Sequence, residues 1–167
     1  LLARVKAWGA FVLSSATTVR EALWLQEHGA DAVIAQGWEA GGHRGVFDPE
    51  AADDRLGTIA LTRLLVVRSG LPVIAAGGIM DGAGVAAALR LGAAAAQLGT
   101  AFIACPESSA SPGHRAALVD GRGTVVTAAI SGRPARGLEN RFTEEFGAGE
   151  DAPGYPFTYD AGKALHQ

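Results

Sequence analysis

A single imidazole stands among glycines in Gln36-Gly37-Trp38-Glu39-Ala40-Gly41-Gly42-His43-Arg44-Gly45, with the Glu39 carboxylate and the Arg44 guanidinium close by in sequence. Such glycines either permit a positive φ or let a flat ligand approach the backbone. His43 is therefore read as a group that takes or gives a proton near neutral pH beside a bound ligand. A histidine alone in a glycine turn is more often merely solvated, and what argues otherwise lies further along the chain. Glu39 keeps two readings: it orients His43 or a substrate, or it pairs with Arg44.

Two more glycine turns follow apolar runs, Gly77-Gly78 after Pro72-Val73-Ile74-Ala75-Ala76 and Gly99-Thr100 after Ala93 to Leu98. Lying one βα unit apart, their backbone N–H groups can together grip a phosphate, as the loops after strands 7 and 8 of a (β/α)8 barrel do. A ligand with its phosphate there and a flat head near Gly41, Gly42 and His43 describes FMN better than a dinucleotide. The Gly-x-Gly-x-x-Gly turn and distant ribose-binding acid of a dinucleotide site do not occur.

Other chemistries find less support. The His, Cys and carboxylate residues show no metal-ligand spacing, so no metal site is expected, and no Ser, His and Asp arrangement stands out. Cys105 reads as a small buried apolar residue. Ser131-Gly132-Arg133-Pro134-Ala135-Arg136-Gly137 reads as a solvated structural turn, with pairing of Arg133 or Arg136 to an anion as the alternative. His28 falls in a helix's last turn, where the dipole favours a cation.

The scaffold for these groups follows from the apolar pattern. A helix from Leu1 to Trp8, a strand at Phe11–Ser14, and a helix from about Val19 to His28 behind the Thr18/Glu21 capping-box spacing come first. Ala32–Gln36 is apolar without alternation, as a parallel strand covered on both faces is. Thr58 is placed to cap a helix carrying Leu61, Leu64 and Leu65 on one face, and Asp81 to cap another from about Gly84 to Leu91. Strands at Pro72–Ala76 and within Ala93–Phe102 complete a strand and helix alternation that means βαβ units and a parallel sheet. Counted back from the phosphate loops, these are strands 5 to 8 of a barrel. Beyond Cys105 the pattern loosens into a short helix at His114–Val119 and an extra strand at Thr124–Ile130. The Gly- and Pro-rich stretch from Gly147 to Tyr159 is expected to wrap over the domain or to lack order.

The 167 residues fall within the range of one domain, and a hydrophobic fraction of 49%, a charged fraction of 19% and a net charge of −3 favour a globular chain over disorder or nucleic-acid binding. The single cysteine allows no intrachain disulfide and suits a cytoplasmic protein. No apolar run of about 18 residues marks a membrane span. The start at Leu1 rather than at a methionine suggests a longer protein.

Three stretches, Ala35 to Gly45, Pro72 to Ile79 and Gln97 to Phe102, closely resemble the nitronate monooxygenase (2-nitropropane dioxygenase) family. The likeness continues through Cys105-Pro106-Glu107-Ser108 and Ser131 to Gly137 to Tyr155-Pro156. It implies an FMN-dependent (β/α)8-barrel enzyme that uses O2 to turn nitronates or nitroalkanes into carbonyl compounds and nitrite. It implies further that Gln36, Gly41, Gly42, Gly77, Gly78, Gln97, Leu98, Gly99 and Thr100 contact FMN. His43 becomes the active-site base that removes the α-proton of a nitroalkane, whereas a preformed nitronate needs it mainly for positioning.

A full barrel takes about 250 residues, so residues 1–106 are expected to be its C-terminal half and residues 107–167 an extension packed on it. Two alternatives remain. One is the related FMN-dependent enoyl-acyl-carrier-protein reductase, which shares the Glu-Ala-Gly-Gly-His stretch. The other is a non-catalytic truncated half-barrel that survives by self-association or by capture of its N-terminal half, because open strand edges invite pairing.

Overall fold

The computed structural model describes residues 2–149 and 152–160. Leu1 of the first predicted helix, and residues 150–151 and 161–167 of the predicted extension, lie outside the described residues. The chain divides into two compact units, one built from Leu1–Ala40 and Gly45–Ala101, the other from Gly41–Arg44 and Phe102–Gln167.

The first unit is an α/β sheet with parallel strands. Strands β1 (Leu13–Ala16), β2 (Ala32–Gln36), β4 (Val73–Ala76) and β5 (Ala95–Gln97) lie in the order β1-β2-β4-β5. All three pairings are parallel. Each parallel strand thus neighbours the next one in the chain, as in a barrel and unlike a doubly wound sheet, whose order reverses. Helices α1 (Leu2–Ala7), α2 (Val19–Glu27), α3 (Thr58–Arg68) and α4 (Gly82–Arg90) belong to this unit.

Side chains alternate across a strand, and the alternation sorts the sheet into two faces. Ala16, Val33, Ala35 and Val73 form a buried core with Ala22 and Leu25 of α2 and Leu61 and Leu65 of α3. Ser15, Ile34, Ile74 and Ala95 share one register row of the other face. Those four are only partly covered among the described residues, with Ala95 exposed, so the two-sided burial expected from the apolar runs holds on the helical face and not on this one.

The helix starts follow side-chain chemistry. Thr18 and Glu21 form the expected capping box on α2, and Asp81 Oδ1 accepts the Gly84 N–H at 2.8 Å on α4. Thr58 does not cap α3: it is the first helical residue, and Gly57 at the cap contributes no side-chain bond. The first strand begins at Leu13 rather than Phe11, because the Asp31 carboxylate accepts the Val12 N–H at 2.8 Å and the Asp31 N–H returns to Val12 O at 2.9 Å. A side chain thus satisfies the backbone where a ladder was expected. His28 follows the last turn of α2, its Nδ1 2.8 Å from Trp24 O and its ring stacked on Trp24.

The second unit contains a feature the sequence pattern did not reveal. Strands β3 (Gly42–His43), β6 (Thr124–Thr127) and β7 (Ala135–Leu138) form an antiparallel sheet in the order β3-β7-β6. The extra strand near Thr124 is present but ends at Thr127, and the predicted turn from Ser131 to Gly137 instead runs into β7. Helix α5 (Pro112–Val119) starts at Ser111, whose Oγ accepts the His114 N–H at 3.2 Å. Helix α6 (Arg141–Phe146) starts at a capping box from Asn140 to Thr143. Cys105 is half-buried, not enclosed, and its carbonyl accepts from Arg115 at 2.8 Å.

Glu21 is a buried carboxylate that accepts four hydrogen bonds. Its Oε2 accepts from Thr17 N at 2.6 Å, Thr17 Oγ1 at 2.8 Å and Thr18 N at 3.2 Å, and its Oε1 accepts from Phe47 N at 2.8 Å. Glu21→Ala leaves these donors unmatched in a buried place, so it should cost about 1–3 kcal/mol. Urea unfolding of the two proteins measures this, with Glu27→Ala on an exposed site as control. Equal stability of Glu21→Ala and its parent would contradict the structural role.

Candidate active site

In the first unit, the in-register row Gln36, Ala76 and Gln97 marks the C-terminal ends of three adjacent parallel strands. The stretches that begin at Gly37, Gly77 and Leu98 therefore leave the same edge of the sheet as neighbours, as two loops that share a phosphate must. Gly77 (φ +118°) and Gly78 (φ +67°) both take the backbone region that side chains disfavour. Gly78, Gln97, Gly99 and Thr100 are exposed, while Leu98 is half-buried. A Cβ built at Gly99 meets nothing within 4 Å.

Close packing fixes where this edge runs. The Gly37 N–H donates to Ala76 O at 2.9 Å and the Trp38 N–H to Leu56 O at 2.8 Å. A Cβ at Gly37 would meet Thr58 Oγ1 at 2.0 Å, and one at Gly77 would meet Ala40 N at 2.9 Å. Glu39 Oε2 accepts from Thr58 N at 2.8 Å and lies 2.9 Å from the Thr58 hydroxyl, which is also 2.9 Å from Gly77 O. The carboxylate thus takes a free N–H at the start of α3, where no capping side chain stands. This employment of Glu39 is absent from both sequence readings, because Thr58 is too distant in sequence to show any spacing. Gln36 Oε1 accepts the Gly45 N–H at 2.7 Å and so holds the far end of the loop to the sheet.

In the second unit, Gly41, Gly42 and His43 are exposed, while Arg44 is 2% exposed. Gly42 pairs with Arg136 and His43 with Ala135, and the Arg44 N–H donates to Pro134 O at 2.8 Å. His43 is thus carried on a short strand, not on a free loop. Its Nε2 lies 2.9 Å from Oγ of Ser131, a residue 2% exposed. The rings of Tyr155 and Tyr159 stand 5.8 and 6.0 Å from the imidazole, centroid to centroid. Gly132 (φ +77°) admits the segment that brings them: a Cβ there would meet Pro153 O at 2.1 Å. Ser131, Tyr155 and Tyr159 escaped the sequence reading as site residues because 88 or more positions separate them from His43.

Two causes hold the His43 pKa below its ordinary value: partial desolvation first, then the positive charge of Arg133. A neutral imidazole at neutral pH has a lone pair able to accept a proton, which suits a base. Among the described residues no group of three His, Cys, Asp or Glu side chains is placed to hold a metal ion. Likewise, no described helix is long and apolar enough to cross a membrane.

A model of the nitronate monooxygenase family matches residues 1–165. The chain is 60% identical to a nitronate monooxygenase of Paraburkholderia phytofirmans, over 99% of this chain and 46% of that protein. It is 57% identical to a nitronate monooxygenase of Pseudomonas aeruginosa, over 96% of this chain and 47% of that protein. Among solved structures it superimposes on nitroalkane oxidase from Streptomyces ansochromogenes with a TM-score of 0.89 and 44% identity, covering 98% of this chain and 50% of that one. FabK from Thermotoga maritima gives a TM-score of 0.74 and 39% identity, over 86% of this chain and 44% of the other. The chain spans about half the length of the relatives it matches.

Titration of the His43 ring by NMR should give a midpoint below the ordinary histidine value of about 6.5. Arg133→Gln removes the repelling charge and should move that midpoint upward. A midpoint at or above the ordinary value in the parent protein, or no movement in the variant, would contradict the electrostatics described.

Proposed function

Because the chain belongs to the nitronate monooxygenase family, we propose that it is the C-terminal half of the catalytic barrel of an FMN-dependent enzyme that uses O2 to oxidise nitroalkanes or nitronates to carbonyl compounds and nitrite. The observation that carries the reading is the arrangement around His43: a solvent-accessible imidazole, kept neutral, anchored on a strand and flanked by two tyrosine rings. Residues 1–106 are assigned to the barrel and 107–167 to its extension. Among the described residues β1 and β5 are the edges of the parallel sheet, and further strands of the whole protein would close them. A cytoplasmic location belongs to the same proposal.

The first unit's exposed edge fits FMN. Backbone at Gly77, Gly78, Gly99 and Thr100 would hold the phosphate, the open space at Gly99 leaving room for it, with Gln97 and Leu98 beside them. Gln36, Gly41 and Gly42 would hold the flat head. Gln36 accepts the Gly45 N–H within the first unit, and His43 stands two residues earlier in the chain. FMN supplies the redox chemistry with O2. The protein's own task is to bind a small nitro compound and, for a neutral nitroalkane, to move its α-proton to His43. The tyrosine rings give the substrate's alkyl part an apolar flank.

His43→Asn in the whole protein should keep bound flavin and lose about 10²- to 10⁴-fold in rate on neutral nitroalkanes. Turnover of a preformed nitronate should fall far less, and equal losses on both would remove the proton-abstraction role. The Cβ of Gly99→Leu would meet no atom within 4 Å, so the variant should leave the fold intact and abolish the yellow flavin absorbance. A folded, fully yellow variant would contradict the phosphate assignment.

A further inference from the structure

We infer that Ser131 is a positioning residue that puts the proton of neutral His43 on Nε2 and leaves Nδ1 as the basic atom, an inference that rests on the reading of His43 as the base. A serine hydroxyl offers one proton and two lone pairs. Three groups surround the Ser131 Oγ: His43 Nε2 at 2.9 Å, Arg133 O at 3.0 Å and Arg133 N at 3.3 Å. The carbonyl can only accept and the backbone N–H can only donate, which leaves the imidazole as the one partner with a choice.

If the hydroxyl proton goes to Arg133 O and one lone pair takes the Arg133 N–H, the remaining lone pair requires an N–H at His43 Nε2. All three contacts are then satisfied. Were the proton to point at Nε2 instead, two oxygen acceptors would face each other at 3.0 Å with no hydrogen between them. Ser131 is 2% exposed, so solvent has little access to relieve that mismatch. The hydrogen-bond network therefore assigns the tautomer.

The anchor and the ring are held by the same sheet. Ser131 opens the turn into β7, β7 pairs with β3 through His43 and Ala135, and Pro134 O takes the Arg44 N–H. The consequence is directional: with Nε2 protonated, the ring lone pair able to take a proton is the one on Nδ1. After transfer both ring nitrogens carry protons, and the Nε2–H bond to Ser131 persists and strengthens as the donor gains charge.

The test is nitrogen NMR of the whole protein labelled in its histidines, recorded above the His43 titration. The expected spectrum shows His43 with a protonated Nε2 and an unprotonated Nδ1. Ser131→Ala should shift the ring toward a mixture of both tautomers and lower kcat on a neutral nitroalkane by roughly 2- to 10-fold, the worth of one hydrogen bond, with KM and nitronate turnover little changed. Ser131→Thr keeps a hydroxyl and should restore the single tautomer. A wild-type ring protonated on Nδ1, or a Ser131→Ala ring identical to the parent, overturns the assignment whatever the activity. An Nε2–H ring in a protein whose His43→Asn variant keeps full nitroalkane activity leaves the assignment standing and overturns the base reading instead.

Discussion

The meeting of Glu39, Thr58 and the glycines at positions 37 and 77 is the constraint on which the C-terminal edge of the parallel sheet depends. The Glu39 carboxylate takes the first N–H of α3 while the Thr58 hydroxyl sits between that carboxylate and the Gly77 carbonyl. No side chain fits between these backbones: a Cβ at Gly37 would lie 2.5 Å from the Thr58 Cα. One polar cluster thereby fixes the end of β2, the start of α3 and the turn after β4. The loop toward His43 leaves from it, and Gln36 takes hold of that loop again at Gly45.

At the C-terminal edge of the parallel sheet, Gly37, Gly77 and Gly99 are glycines for two different reasons. Gly37 and Gly77 are needed because protein fills the space where a side chain would be, and Gly99 is a glycine with empty space before it. The first kind builds the edge. The second is what a binding surface requires, and its position one strand away from Gly77–Gly78 is the reason the phosphate reading attaches to this pair of turns.

Much of this was legible in the sequence where the signal was local. The capping pair Thr18 and Glu21, the cap at Asp81 and the strands that end at Gln36 and Ala76 each announce themselves within a few residues, and the order of strands and helices gave the parallel sheet. Signals that depend on distant partners stayed hidden. Phe11 and Val12 look like strand residues, yet Asp31 claims the Val12 backbone. Thr58 looks like a cap but is instead bonded by Glu39. The antiparallel sheet escaped because β3 is two residues long and its partner β7 begins at Ala135, in a stretch whose Gly, Pro and Arg content reads as a turn. For the same reason His43 was found as a lone imidazole and its setting of Ser131, Tyr155 and Tyr159 was not.

We propose that this chain is part of an enzyme that oxidises a nitro compound with O2. The direct measurement is the stoichiometry of oxygen consumed and nitrite released when the flavin-loaded whole protein meets a nitronate without any nicotinamide. The account predicts nitrite formation coupled to O2 uptake in the absence of NADH, and no NADH oxidation by an enoyl thioester. NADH-dependent reduction of the enoyl thioester with no nitrite from the nitronate would contradict it and assign the chain to the chemistry of an enoyl reductase.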